Sequence, residues 1–108
     1  GGGTDFHLGH DLAAATGTPV LAAADGVVRV AGKHASYGNY LRILHADGDE
    51  TLYAHMQYLF VSTGAVVTTG QVLGVVGETG NATGPHLHFE ILLKGLRYDP
   101  AQALQDVA

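Results

Sequence analysis

Apolar and polar positions in this chain alternate in short runs broken by glycine, the signature of strands rather than helices. Tyr40-Leu41-Arg42-Ile43-Leu44-His45 is one such run and Glu50-Thr51-Leu52-Tyr53-Ala54-His55 is another. Between them Ala46-Asp47-Gly48-Asp49 carries turn chemistry, so residues 40–45 and 50–55 are predicted to form a hairpin. The same reading places strands over 20–22 and 26–31, joined by an Asp25-Gly26 turn, and a further pair over 64–67 and 71–77. Residues 33–38 read as a polar loop and 78–85 as a glycine-rich loop. The apolar, partly β-branched stretch from His86 to Leu93 reads as a strand. Met56 to Phe60 predicts one helical turn, and Asp99-Pro100 predicts the cap and first position of a short terminal helix.

No long run repeats apolar residues at i, i+3 and i+4, so the expected fold class is mainly β. It is a compact antiparallel core of short strands, barrel or sandwich, with a groove formed by loops. A weak internal echo supports this. Gly17-Thr18-Pro19-Val20 followed by Gly26-Val27-Val28 resembles Gly64-Ala65-Val66-Val67 followed by Gly74-Val75-Val76, with the spacing differing by one residue.

A length of 108 residues suits one domain, residues 1–108. The net charge of −5 with only five basic residues argues against nucleic acid as a partner. There is no cysteine, which removes disulfides and thiolate ligands from consideration. No stretch approaches the roughly 20 apolar residues of a membrane span. The chain opens Gly1-Gly2-Gly3-Thr4, and the expectation is a trimmed piece of a longer, extracytoplasmic protein, acting as a monomer.

The chemistry concentrates in histidine, present seven times. His86 and His88 stand two apart, on one face of a strand. Far upstream, His7 and Asp11 stand four apart, also in phase on an extended chain. Two imidazole nitrogens and one carboxylate oxygen make a three-ligand zinc set with the fourth position open, the pattern of a catalytic rather than a structural metal site. The bland alternatives differ from residue to residue. Asp11 before Leu12-Ala13-Ala14 also suits an N-cap or turn. His34 reads as a solvated loop residue, and His10 is out of phase with His7 and Asp11. His45 and His55 end alternating runs, where a half-buried imidazole satisfied by a backbone carbonyl is the ordinary finding. The loop from Gly77 to Gly84 lacks a P-loop lysine and a GxGxxG order, so it is expected to shape a groove wall rather than hold phosphate.

Taken in order, these motifs resemble those of the LytM/lysostaphin-type zinc metallopeptidases, which cut peptide bridges in bacterial peptidoglycan. The resemblance rests on Phe6-His7-Leu8-Gly9-His10-Asp11, Gly17-Thr18-Pro19-Val20, Ala24-Asp25-Gly26-Val27-Val28 and Tyr37-Gly38-Asn39-Tyr40. It continues through Thr51-Leu52-Tyr53-Ala54-His55-Met56, Gly70-Gln71, Gly77-Glu78-Thr79-Gly80 and Thr83-Gly84-Pro85-His86-Leu87-His88-Phe89-Glu90. It implies one zinc ion held by His7, Asp11 and His88, with His55 and His86 as the catalytic histidines. It also implies peptidoglycan peptides as substrate. Two departures stand out: little chain precedes His7, and His10 occupies a position where an aliphatic residue is common.

Two rival readings have their own signatures. A non-catalytic LytM-like scaffold or activator of other wall hydrolases should have lost ligands, yet all five chemical residues stand. A biotinyl, lipoyl or phosphotransfer carrier needs a lysine at a hairpin tip in a Met-Lys setting, which neither Lys33 nor Lys94 has. The absence of an H-E-x-x-H helix excludes the thermolysin arrangement. Arg42 and Arg97 are candidate contacts to an acidic substrate group.

Overall fold

The computed structural model describes residues 6–93, with Phe6, His7 and Leu8 by backbone alone. The expected terminal helix, Lys94 and Arg97 lie outside the described residues.

Eight strands form one antiparallel sheet: β1 (Phe6–Ala13), β2 (Pro19–Leu21), β3 (Gly26–His34), β4 (Gly38–Leu44), β5 (Glu50–Leu59), β6 (Val66–Val67), β7 (Val72–Val76) and β8 (His86–Leu93). The main path runs β1-β8-β5-β4-β3-β6, with β7 bridging β2 to β5. The sheet is open rather than a closed barrel, and the mainly β expectation holds. Among the described residues there is no helix, and hence none long and apolar enough to cross a membrane.

The predicted hairpin is present as β4 and β5. The predicted helical turn at 56–60 is not: β5 continues to Leu59, because Tyr58 and Leu59 pair with Val75 and Gly74 of β7. β3 likewise outruns its predicted end at Ala31 and reaches His34, paired along β4. Asp11 is no helix cap, since β1 stays extended from Phe6 to Ala13.

The internal echo is expressed as mutual pairing. β2 pairs with β7 and β3 with β6, so each half's first short strand meets the other half's second. The backbone bonds repeat in kind: Gly17 N donates to Val76 O as Gly64 N donates to Val28 O, both at 2.8 Å. Val76 N donates to Thr18 O as Val28 N does to Ala65 O.

The sheet's two faces differ. One buries Val20, Val28, Leu41, Ile43, Tyr53, Met56, Leu73 and Val76 as the main core, with Leu87 and Phe89 packed against it. On the other, Leu52, Ala54 and Leu92 form a smaller cluster under Tyr37 and Tyr40. By strand alternation that second face also carries Glu50, Asp11, His86, His88 and Glu90. Glu50 is fully buried there, receiving Arg29 Nη1 at 2.6 Å and Arg42 Nη2 at 2.8 Å. Arg42, a candidate substrate contact, is engaged here with Glu50 through Nε and Nη2.

Candidate metal and hydrolytic site

Strand register assembles the site. Asp11 of β1 lies opposite His88 of β8, and His88 lies opposite Ala54 of β5 on its other side. Small residues flank the imidazole: Ala54 beside it, and Gly9, where an added Cβ would sit 3.4 Å from His88 Cε1. His86 precedes His88 on the same face, at the mouth of the glycine-rich loop.

His55 arrives by a different device. Its φ of 63° is left-handed, the one positive φ among the described non-glycine residues. Such backbone costs about 1–3 kcal/mol and persists where the surroundings over-determine it. Here His55 N donates to Tyr37 O at 2.7 Å and Gly77 N donates to His55 O at 3.0 Å. The β4–β5 and β5–β7 registers both shift in this stretch. The resulting bulge swings a buried imidazole to the groove. The two holding loops lock together at Gly38 and Gly80, both left-handed, where a Cβ on Gly80 would lie 2.4 Å from Gly38 N. No other residue fits there.

Hydrogen bonds then fix the protons. His55 Nδ1 lies 2.6 Å from Thr79 O, and His86 Nδ1 lies 2.9 Å from Gly84 O. A carbonyl only accepts, so each neutral ring carries its proton on Nδ1 and leaves Nε2 as the basic atom. The two rings are 4.8 Å apart between centroids. His86 Nε2 is 3.6 Å from Asp11 Oδ1.

His88 differs: both its nitrogens meet carboxylates, Nδ1 with Asp11 Oδ1 and Nε2 with Glu90 Oε2, each at 2.7 Å. Burial alone would lower its pKa, but the hydrogen bonds it donates to Asp11 and Glu90 outweigh that and raise the pKa above the usual histidine value. The bond from His88, with the nearby imidazoles, keeps Asp11 below the usual carboxylate range. Tyr37 OH donates to the same Glu90 oxygen at 2.9 Å, and burial, with that carboxylate, raises the phenol's pKa.

Asp11, Ser36, Tyr37, His55, Asn81, Thr83, His86 and His88 line one open cleft of about 350 Å³. The glycine-rich loop therefore forms a groove wall, as expected. The cleft unites Asp11, His55, His86 and His88 of the five predicted site residues. His7 stands opposite Leu92, in phase with Asp11, but at about 3.4 Å per residue it is roughly 14 Å along the strand from it. Its side chain lies outside the described residues. Among the described residues no three donors close into a metal cage. The donor chemistry nonetheless fits zinc. An imidazole nitrogen and a carboxylate oxygen face each other, and a buried carboxylate backs the ring from behind.

The remaining histidines fall elsewhere. His10 pairs with Phe89 at a position out of phase with the site and is exposed. His34 is exposed at the end of β3, its Nδ1 accepting from the backbone of Ser36 and Tyr37. His45 is a satisfied, half-buried residue, as expected. Sequence reasoning missed Glu90, Tyr37 and Thr79. Period-two alternation with His86 and His88 points to Glu90, whereas the backbone oxygen of Thr79 leaves no signal in side-chain identity.

A polar cleft on an open antiparallel sheet, walled by three imidazoles and a carboxylate, is the kind of site that metal-dependent hydrolases build. Residues 5–100 match the model of Peptidase family M23, and the chain belongs to that family. It is 45% identical over 94 residues to the peptidoglycan DD-endopeptidase ShyC of Vibrio cholerae, covering 87% of this chain and 22% of that protein. Among solved structures it resembles a zinc-containing peptidase from Vibrio cholerae, with a TM-score of 0.76 and 44% identity over 81% of this chain and 26% of the other. It also resembles the catalytic domain of lysostaphin from Staphylococcus simulans, with a TM-score of 0.74 and 36% identity over 75% and 62% of the two chains. The chain spans about a fifth of the length of the curated relatives it matches.

Proposed function

We propose that this domain is a zinc-dependent endopeptidase that hydrolyses peptide cross-links or stem peptides of bacterial peptidoglycan outside the cytoplasm. The observation that carries the reading is the cleft itself. The Nδ1 atoms of His55 and His86 are held by backbone carbonyls, which turns both Nε2 atoms toward the Asp11–His88 pair. The zinc-containing relative and the DD-endopeptidase relative support the metal and the substrate class.

In this reading His7, Asp11 and His88 hold one zinc ion. When bound, the metal supplies a Lewis acid that polarises the scissile carbonyl and acidifies water. His55 and His86 form the acid–base pair. One Nε2 accepts the proton of the attacking water, and the other ring, entering the cycle as the imidazolium, delivers its Nε2 proton to the leaving amine. The Nδ1–H bonds to Thr79 and Gly84 keep both tautomers correct through the cycle. Ser36, Asn81 and Thr83 offer polar contacts to a peptide backbone. An open cleft walled mainly by such polar groups suits alanine or glycine at the scissile bond. The kinship to a DD-endopeptidase favours the stem cross-link over a glycine bridge.

Digestion of purified sacculi of both cross-link types, followed by mass spectrometry, tests this. New peptide termini that vanish with chelator and return with zinc are expected. Intact cross-links in both sacculi, with zinc bound, would leave the scaffold reading.

A further inference from the structure

Glu90 has no part in the reaction described above, yet it is the most buried carboxylate at the cleft, 7% exposed. It sits two residues beyond His88 on the same strand face, so alternation aims it along the back of that imidazole. It stands opposite Gly9 on one side and Leu52 on the other. Its Oε2 accepts from His88 Nε2 at 2.7 Å and from Tyr37 OH at 2.9 Å. Tyr37 in turn stacks on His88, ring centroids 6.1 Å apart and 21° between planes. Tyr37 thus touches both partners. Its own place is set by the turn that also holds His55, through Tyr37 O.

An imidazole can present either nitrogen to a metal, and the choice follows from where the other nitrogen's proton goes. We infer that Glu90, tethered by Tyr37, is the positioning residue that locks the His88 proton on Nε2 and reserves Nδ1, beside Asp11, for the metal. Tyr37 is the strut of this arrangement: it donates to one Glu90 oxygen at 2.9 Å and lies nearly parallel to the imidazole, so it ties the carboxylate beside the ring. The inference rests on the zinc reading proposed above. Outer partners of this kind commonly change metal affinity by 10–100-fold.

The experiment measures zinc dissociation constants by competition with a chromophoric chelator for the wild-type domain, Glu90→Ala, Glu90→Gln, Tyr37→Phe and Asp11→Ala. Imidazole N–H NMR spectra of the zinc-loaded forms accompany them. Glu90→Ala is expected to bind zinc 10–100-fold more weakly and to lose the protected His88 Nε2–H resonance. Glu90→Gln keeps an acceptor oxygen and is expected to recover most of the affinity and the resonance. A general packing role would not give that rescue. Tyr37→Phe should fall between wild type and Glu90→Ala, and it decides the matter should Glu90→Ala unfold. Unchanged affinity in Glu90→Ala, or in Tyr37→Phe if Glu90→Ala does not fold, overturns the inference. Unchanged affinity in Asp11→Ala instead overturns the zinc-ligand reading, whatever Glu90 does.

Discussion

Two histidines of this small domain, His45 and His55, both hold a backbone carbonyl with Nδ1, and they end in opposite chemistry. His45 donates from Nδ1 to Asp25 O at 2.7 Å, and its Nε2 meets Thr51 Oγ1 at 2.8 Å. Thr51 Oγ1 meets Tyr53 OH at 2.8 Å, and Tyr53 OH accepts from Ala23 N at 3.0 Å. Donor and acceptor roles close into one directed relay, from Ala23 N–H through two hydroxyls to His45 and out to Asp25 O. Every polar atom in it is used. At the other site, His55 donates to Thr79 O with Nδ1, and among the described residues its Nε2 has no partner, facing instead a cleft with His86 and Asp11. A histidine becomes chemical when the fold satisfies one nitrogen and leaves the other. Backbone strain tells the same story: His55 pays a left-handed φ to be where it is.

This contrast can be broken experimentally, most severely at the metal pair. His88→Ala or Asp11→Ala should abolish zinc-dependent hydrolysis, checked by assaying cross-linked muropeptides with zinc supplied in excess. Retained turnover in either variant would detach the reaction from these ligands.

His55→Ala and His86→Ala should each cost about 10²–10⁴-fold in turnover, the usual worth of a positioned general acid or base, with zinc still bound. Thermal unfolding should change little in His86→Ala.

The pH dependence sharpens the picture through its two signs. The pKa of His88 is raised in the folded, metal-free protein. The stability it contributes is therefore complete below the ordinary histidine value and is lost as pH rises through the raised value. Zinc binding runs the other way, because Nδ1 must shed its proton, so affinity should weaken up to about tenfold per pH unit on acidification below that value. Asp11, held low, stays ionised throughout this window. Chelator competition and denaturant melts at pH 5 and 8 would show opposite trends, and parallel trends would contradict the assignment.

The mirror-image variant is His45→Ala. It should leave turnover per folded molecule unchanged while costing about 1–3 kcal/mol, since the Thr51 hydroxyl loses its acceptor in a buried setting. A loss of that size lowers the melting temperature by several degrees in a domain this small. Smaller still is the effect of Asp25, whose pKa is lowered chiefly by the Thr69 backbone N–H at 2.7 Å. Its contribution should fade as pH falls through the depressed value, making Asp25→Ala less acid-sensitive than wild type.

The sequence was most legible where apolar and polar residues alternate between turn signals. The hairpin of β4 and β5 and the strand from His86 follow from that pattern, although β5 is buried on both faces from Glu50 to Met56. Alternation failed at Met56-Gln57-Tyr58-Leu59-Phe60, where apolar residues occur on both faces: Met56 is buried while Tyr58 and Phe60 are exposed. Pairing with β7 decides that segment, and pairing is a long-range fact. His86, His88 and Asp11 were legible from their spacing on extended chain, together with His7, whereas the role of His55 came only with the family resemblance, because a buried histidine at a strand end reads equally well as a satisfied core residue. Glu90 and Glu50 look alike in sequence, each an acid in an apolar strand. Only the partners, Tyr37 and His88 for one and Arg29 and Arg42 for the other, separate a site residue from a buried ion-pair anchor. The tautomers of His55 and His86 depend on carbonyl oxygens, to which any residue type contributes equally.

The most direct test is a crystal structure of the zinc-loaded domain with anomalous data collected at the zinc edge. The account predicts a single peak at about 2.0–2.2 Å from Asp11 Oδ1, His88 Nδ1 and a nitrogen of His7, with His55 and His86 near but unbound. A peak ligated by His86 Nε2 or His55 Nε2, or zinc bound away from Asp11 and His88, would contradict it.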